Sequence, residues 1–322
     1  MTPGLAFVVR RGAWAAATLF VALAATFALV ALTPDPNAAL AGFAAAAGGG
    51  DAEAAMSAYE AARNLDEPVL DRFLGFVRGA VTLDLGRSLS SGEPVRSILV
   101  DRALVSLSYV VPAAVVSVAG GVLVGATTAL RDSSLGDRLT GAAAYLGLSV
   151  PNFWLAALGG AYLAAALGAG GSFDPEAGLF ASPNVQYLAI AAAVLATTMF
   201  AAQLRYTQAE MGAFADAEFV RLVRAKGGNT RRVARHVLRN AAPPLVSLFV
   251  TELLATLFVA VVVVESVLGI PGVGAALLEA VSARDLPMVM GVTLFVVAVG
   301  VFARFAQDVL RATLDPDCEH NA

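Results

Sequence analysis

The chain has 322 residues, of which 58% are hydrophobic and 14% charged, and its mean hydropathy is +0.74. An average soluble domain carries about 25% charged residues, so these figures exclude an ordinary soluble, fibrous or disordered protein and indicate an all-α polytopic membrane protein. One cysteine, two histidines and a net charge of −4 leave little material for a disulfide framework, a metal site or a nucleic-acid surface.

Six apolar runs reach or approach the roughly 20 residues that cross a hydrocarbon core. They are 13–32, 105–130, 142–168, 185–204, 244–264 and 288–303. The first follows Arg10 and Arg11 but is longer than the ~7–15-residue core of a signal peptide. Thr33-Pro34-Asp35-Pro36 makes a poor cleavage site, so the run is expected to remain as an anchor. Segment 33–104 reads as a small domain. Its Ala/Gly-rich start, 38–50, is expected to be mobile. Residues 51–63 read as a polar helix, 72–81 as an amphipathic helix, 83–88 as a turn, and 95–104 as the lead into the second span. Within that span, Gly121 and Gly125 form a Gly-x-x-x-Gly pattern; it either marks a close helix contact or is one of the many chance matches in apolar helices.

In the third run, Gly147-Leu148-Ser149-Val150 resembles the surroundings of an intramembrane serine nucleophile. That chemistry needs a base at membrane depth, and His236 and His320 fall in a loop and in the tail. The simpler reading is a kink at Pro151, with Ser149 and Asn152 hydrogen-bonding the freed backbone. Arg and Lys collect at the N-terminus, in 131–138, in 205–243 and in the tail, whereas 169–184 has none and 265–287 only Arg284. The positive-inside rule then places both termini in the cytoplasm and 33–104 outside, as an extracytoplasmic insertion. The chain divides into 1–32, 33–104 and a core of 105–322.

Loop 205–243 is the most informative part. Phe219-Val220-Arg221-Leu222-Val223-Arg224-Ala225-Lys226 alternates basic and apolar residues at helical spacing. Gly227-Gly228 stops that helix, Asn229 or Thr230 caps a second one over 231–240, and Pro243-Pro244 opens the fifth span. The result is a helix–Gly–helix elbow in which Val220, Leu222 and Val223 are expected to be exposed. It is either a positively charged loop held at the cytoplasmic face or a ridge that docks into a groove of a partner. Glu252 lies about two turns into the fifth run, where an ionisable group is costly. It is either a pathway residue facing a cation or a protonated or paired glutamate closing a helix contact; Arg284-Asp285 reads as a local polar pair or a contact surface for an external protein.

The sequence resembles the permeases of binding-protein-dependent ABC importers, in the dipeptide/oligopeptide and nickel branch. The elbow stretch through Gly227, followed by Arg235-His236-Val237-Leu238-Arg239-Asn240-Ala241 and Pro244, is similar to that family's coupling loop. Further motifs agree in order: Thr33-Pro34-Asp35-Pro36, Asn64-Leu65-Asp66-Glu67-Pro68, Leu83-Asp84-Leu85-Gly86-Arg87-Ser88, and Ser149-Val150-Pro151-Asn152-Phe153-Trp154. Glu265, Pro271-Gly272-Val273-Gly274, Arg284-Asp285-Leu286-Pro287, Asp308 and Asp315-Pro316 complete the series. There are departures: a missing Gly before Asp35, Leu83 where the family has Gly, Leu222-Val223 where it has Thr-Ala, and Asp317 where it commonly has Arg.

The resemblance implies a six-helix, type I importer permease of the B-type subunit. It implies ATPase coupling through Phe219, Val220, Leu222, Val223, Arg224, Ala225, Lys226 and Gly227, and a translocation path in which Glu252, Ser149 and Asn152 are candidates. It also implies partners: a second homologous permease, two ATP-binding subunits, an extracytoplasmic substrate-binding protein and the lipid bilayer. No catalytic or metal residue and no cofactor is expected in this chain. A phosphate-binding P-loop ends in Gly-Lys-Ser/Thr, and Lys226, the only lysine, stands between Ala225 and Gly227. ATP is therefore expected on a partner subunit. Di- or oligopeptides come first as substrate and nickel second. A stand-alone secondary transporter is the competing class, although internal repeats and several intramembrane charges are missing. A membrane enzyme is the weakest, for want of His and Cys.

Overall fold

The computed structural model describes residues 5–33, 35–130, 135–167, 173–182 and 184–314. Pro34, Arg131, Gly168, part of the 169–184 loop, Asp315, Pro316, Asp317, Cys318 and His320 lie outside the described residues. In chain order the helices are α1 (Leu5–Ala31), α2 (Pro36–Ala47), α3 (Ala52–Ala62), α4 (Val69–Thr82), α5 (Val95–Ala129), α6 (Leu135–Ser149) and α7 (Asn152–Leu167). They continue with α8 (Asn184–Gly212), α9 (Glu218–Ala225), α10 (Thr230–Ala255), a π-turn (Thr256–Ala260), α11 (Val261–Leu268), α12 (Val273–Ser282) and α13 (Leu286–Leu314).

Among the described residues, five helical stretches are long and apolar enough to cross a membrane, and six if a bent pair counts as one span. That pair is α6 and α7, and it corrects the expected kink. The two helices meet at 87° across Val150-Pro151. Proline lacks the amide hydrogen and pushes the residue before it out of helical geometry, so the helix ends and restarts. The expected second elbow helix and fifth span are likewise corrected. They form one helix from Thr230, through Pro243 and Pro244, into the π-turn and α11.

The described chain forms two compact units. One comprises Met1–Arg11, Leu104–Ala275 and Phe302–Ala322. Its main core joins Tyr109 and Ala113 of α5, Ala156 and Leu163 of α7, Leu188, Ala191 and Leu195 of α8, and Val264 and Leu268 of α11. The Gly-x-x-x-Gly pattern does mark a close contact. A Cβ at Gly121 would lie 2.9 Å from Gln203 Cβ, and one at Gly125 2.7 Å from Thr207 Cβ and 2.8 Å from the Leu204 carbonyl. Only hydrogen fits there, which lets α5 and α8 touch backbone to backbone. In the same unit Arg11 pairs with Asp308 at 3.1 Å.

The other unit comprises Gly12–Ala103 and Ala276–Val301. Its core gathers Leu23 and Phe27 of α1, Phe73 and Phe76 of α4, and Met290 and Leu294 of α13. The rings of Phe27 and Phe73 lie 5.2 Å apart, a favourable aromatic separation. The stretch expected to be mobile is a helix, α2, and the cause is local. Asp35 caps it by accepting from the Asn37 amide at 2.9 Å, and Pro36 fills its first turn. It packs on α3 so closely that a Cβ at Gly42 would lie 2.7 Å from Met56 Cγ.

Candidate functional site

The elbow is built by a chain of local signals. α9 ends in a Schellman motif: the Gly227 amide donates to the Arg224 carbonyl and the Gly228 amide to the Val223 carbonyl, each at 2.9 Å. Gly227 has φ +75°, the left-handed region where a side chain is strained. Gly228 is required for space, because a Cβ there would lie 2.6 Å from Val223 Cγ1. Asn229 then caps α10, accepting from the Arg232 amide at 3.0 Å.

The expectation of an exposed Val220 is corrected. Val220 is 1% exposed and packs among Met211, Val233, Val237, Ala241 and Leu245. Phe219 and Val223 lie half-buried against the same cluster. With a repeat of 3.6 residues, Val220 and Val223 share the inner face. The outer face presents Arg221, Leu222, Arg224, Ala225 and Lys226, and Leu222 is 54% exposed. Burying Val220 contributes roughly 1.5–3 kcal/mol to holding α9 on α10. The elbow is therefore a braced turn with a basic outer face and one exposed leucine.

The intramembrane candidates separate. Ser149 Oγ donates back to the Tyr145 carbonyl of its own helix at 2.7 Å, and not to the Gly147 carbonyl that Pro151 frees, which corrects the expected role. Asn152 instead accepts from Thr198 Oγ1 of α8 at 2.7 Å, tying the start of α7 to α8. Glu252 is half-buried in α10, one turn before the π-turn, and no hydrogen bond or ion pair reaches its carboxylate among the described residues. π-turns are rare and often accompany functional positions.

Sequence reasoning placed one heavily bonded carboxylate in a motif and gave it no role. Glu265 of α11 is fully buried. Its Oε1 accepts from Ser106 Oγ at 2.6 Å and Tyr109 Oη at 2.8 Å, both from α5, and its Oε2 accepts from the Ala275 amide at 2.9 Å. Ser106 Oγ in turn accepts from the Val273 amide at 2.9 Å. An added Cβ on Gly272 would collide with Glu265 Oε1, and one on Gly274 would lie 2.5 Å from Val262 Cα. A single carboxylate thus clamps the 269–275 turn to α5. The signal in the sequence was Ser106 and Tyr109 at helical spacing, with Pro271-Gly272-Val273-Gly274 a few residues after a lone apolar-flanked Glu.

The second unit brings four separated motifs to one cavity of about 560 Å³. Thr33 and Asp35, Asn64 and Glu67, Asp84 and Gly86, and Arg284 and Pro287 all line it. Asp285 is not paired to its neighbour. It is 1% exposed, accepts from Ser88 Oγ at 2.6 Å and from the Ser90 amide at 3.1 Å, and caps α13 through the Met288 amide. That corrects the local-pair reading of Arg284-Asp285.

The family model described as "Binding-protein-dependent transport system inner membrane component" matches residues 121–318. The chain belongs to this family. It is 33% identical over 270 residues to the oligopeptide transport system permease protein of Mycobacterium bovis, covering 78% of this chain and 81% of that one. It is 29% identical over 306 residues to the dipeptide transport system permease protein of Bacillus subtilis, covering 94% of each. A Brucella abortus protein with a peptide transport system permease designation is 30% identical over 319 residues, covering 97% of this chain and 98% of its own length. The braced elbow, the Glu265 clamp and the Gly121–Gly125 contact are thus features of a membrane component of the binding-protein-dependent family. The matched segment contains the elbow, Ser149, Asn152 and Glu252.

Proposed function

We propose that this chain is one permease subunit of an ATP-driven importer of di- or oligopeptides, paired with a second, homologous permease. Two cytoplasmic ATP-binding subunits grip the outer face of the elbow, through Arg221, Leu222, Arg224, Ala225 and Lys226. Phe219, Val220 and Val223 serve that contact from the inside, by bracing α9, and Gly227 by turning it. An external binding protein delivers the peptide. Glu252, Ser149 and Asn152 are assigned to the path. The observation that carries the reading is the elbow itself: a Schellman-ended helix braced by a buried valine, with its basic side and Leu222 turned outward. A loop that served only to hold charge on one side would need no such bracing. The Arg11–Asp308 pair supports both termini lying on the same side, and we place them in the cytoplasm.

The test is co-purification of the full chain with its ATPases, followed by uptake of labelled peptides into proteoliposomes. Leu222→Asp should leave the chain in the membrane yet weaken ATPase capture at least ~10-fold, because an unpaired charge buried in an interface costs several kcal/mol. Capture and uptake equal to wild type would remove the coupling role. Peptide uptake driven by an ion gradient without ATP would establish a secondary transporter instead, and nickel uptake without peptide uptake would overturn the substrate.

A further inference from the structure

A cleft of about 560 Å³ lies between the C-terminal turns of α5 and the first turns of α10, within one unit. That volume is within the usual ~300–1,000 Å³ of ligand sites. Its α5 wall is apolar, formed by Val118, Val122, Leu123 and Ala126, and Leu123 is 67% exposed. Its α10 wall carries Ala234 and Leu238 with Arg231 and Arg235. The two arginines stand one turn apart on one face. Among the described residues neither makes an ion pair or hydrogen bond through its side chain, and no carboxylate lines the cleft.

The setting selects the ligand. Both walls belong to stretches long and apolar enough to span a membrane. Along α10 the sequence passes from arginine-rich at 231–239 to apolar beyond Pro244, which places this end of the cleft at the level of lipid headgroups. An apolar trough along a membrane-spanning helix, with two guanidinium groups that pair with no described residue, matches one molecule in both halves. A diacyl lipid offers an acyl chain to the trough and a phosphate to the paired arginines, whose planar donors suit phosphate oxygens. Arg232 and Arg239, on the same helix, do not line the cleft, so the arrangement is more than a general excess of positive charge. We propose that this cleft binds an anionic phospholipid, with one acyl chain against α5 and its phosphate between Arg231 and Arg235. The lipid would pin the root of the elbow, two residues past Asn229, to the bilayer. The proposal rests on the membrane span alone and stands whether or not the importer reading does.

The experiment uses the full chain with whatever subunits co-purify, reconstituted with phosphatidylglycerol or phosphatidylcholine and analysed by native mass spectrometry. Phosphatidylglycerol should be retained in preference to phosphatidylcholine. Arg231→Gln with Arg235→Gln should weaken retention about 30-fold, at the strength of two juxtamembrane charges. Arg232→Gln with Arg239→Gln removes the same charge away from the cleft and should leave retention unchanged; an equal loss would reduce the effect to bulk electrostatics and overturn the site. Leu123→Trp, which fills the trough, should displace the lipid while both arginines remain. Soluble glycerol 3-phosphate should not bind; binding as tight as that of the lipid would make the site a phosphate site instead. A photo-crosslinker at residue 123 should label lipid, and labelling of a second permease subunit would overturn the proposal. Unchanged melting temperature checks that each variant is folded.

Discussion

Replacing Glu265 by leucine should be among the most damaging single changes in the chain, and the structure sets the size. The substitution removes three acceptor contacts from a fully buried position. The Ser106 hydroxyl can rotate, but the Tyr109 hydroxyl is buried and the Ala275 amide is fixed by the start of α12. Each orphaned donor costs about 1–3 kcal/mol, so the total is about 2–6 kcal/mol, against a total stability on the order of 5–15 kcal/mol for a typical protein. Glu265→Gln keeps a carbonyl for Ser106 and Tyr109 but turns an amide group toward the Ala275 amide, for a loss of about 1–3 kcal/mol. Adding Tyr109→Phe to Glu265→Leu removes one orphan and should recover part of the loss, since replacing both partners by apolar groups is nearly neutral. The assay is thermal unfolding of the purified chain in detergent, with an expected shift of about 2 °C per kcal/mol. The expected order of melting temperature is wild type, then Gln, then the double variant, then Leu alone. A leucine variant that melts within about 1 °C of wild type would refute the clamp.

Gly125→Leu should cost about 1–3 kcal/mol or more by forcing α5 from α8, seen as lost yield of folded protein. Gly141→Leu, with nothing within 4 Å, is the neutral control. Glu252→Gln should preserve assembly, since no partner of its carboxylate is lost, and change the rate of peptide uptake or its pH dependence; unchanged uptake of every peptide would take Glu252 out of the path. Cysteine labelling of intact cells should reach position 57 and not position 229; the opposite pattern would invert the topology.

The legible part of the fold was the part written in local signals. The spans were visible because a hydrocarbon core demands length and apolarity, and the elbow because glycine pairs and an Asn cap are short-range codes. The hidden part depended on contacts between distant residues. Val220 looked like a docking residue because basic neighbours make any valine in that stretch look exposed, and only its packing on Val233 and Val237 reveals it as a brace. Helix α2 is hidden because Ala and Gly carry no amphipathic pattern and its cap, Asp35, sits inside a motif with other claims on it. Glu265 shows in the sequence as a motif match alone, since its partners Ser106 and Tyr109 lie more than 150 residues away. Glu252 drew the attention instead, because a lone charge is conspicuous in a sequence whether or not the fold gives it partners.

The continuity of α10 bears on how such a permease could be driven. The chain does not turn or break between the elbow and the Glu265 clamp. Thr230 to Leu268 runs as a single helical stretch, interrupted only by a change to π geometry at Thr256–Ala260. From Thr230 to Glu252 that is about 33 Å of rod at 1.5 Å per residue. The rod is fixed at both ends: near its start by Val220 packed on Val233, Val237 and Ala241, and at its end by Glu265 bonded to α5. A push on the outer face of α9 would therefore move the first turns of α10 as one body rather than unwind them. Two places in the rod are weakened: the Pro243-Pro244 pair, which supplies no backbone donors, and the π-turn, where the hydrogen-bond register shifts by one residue. Glu252 lies one turn on the elbow side of the π-turn and Glu265 on the other. In our reading the braced elbow supplies the displacement, the clamp supplies the fixed point, and the prolines and the π-turn take up the difference, the π-turn doing so next to Glu252, whose carboxylate no other described residue reaches.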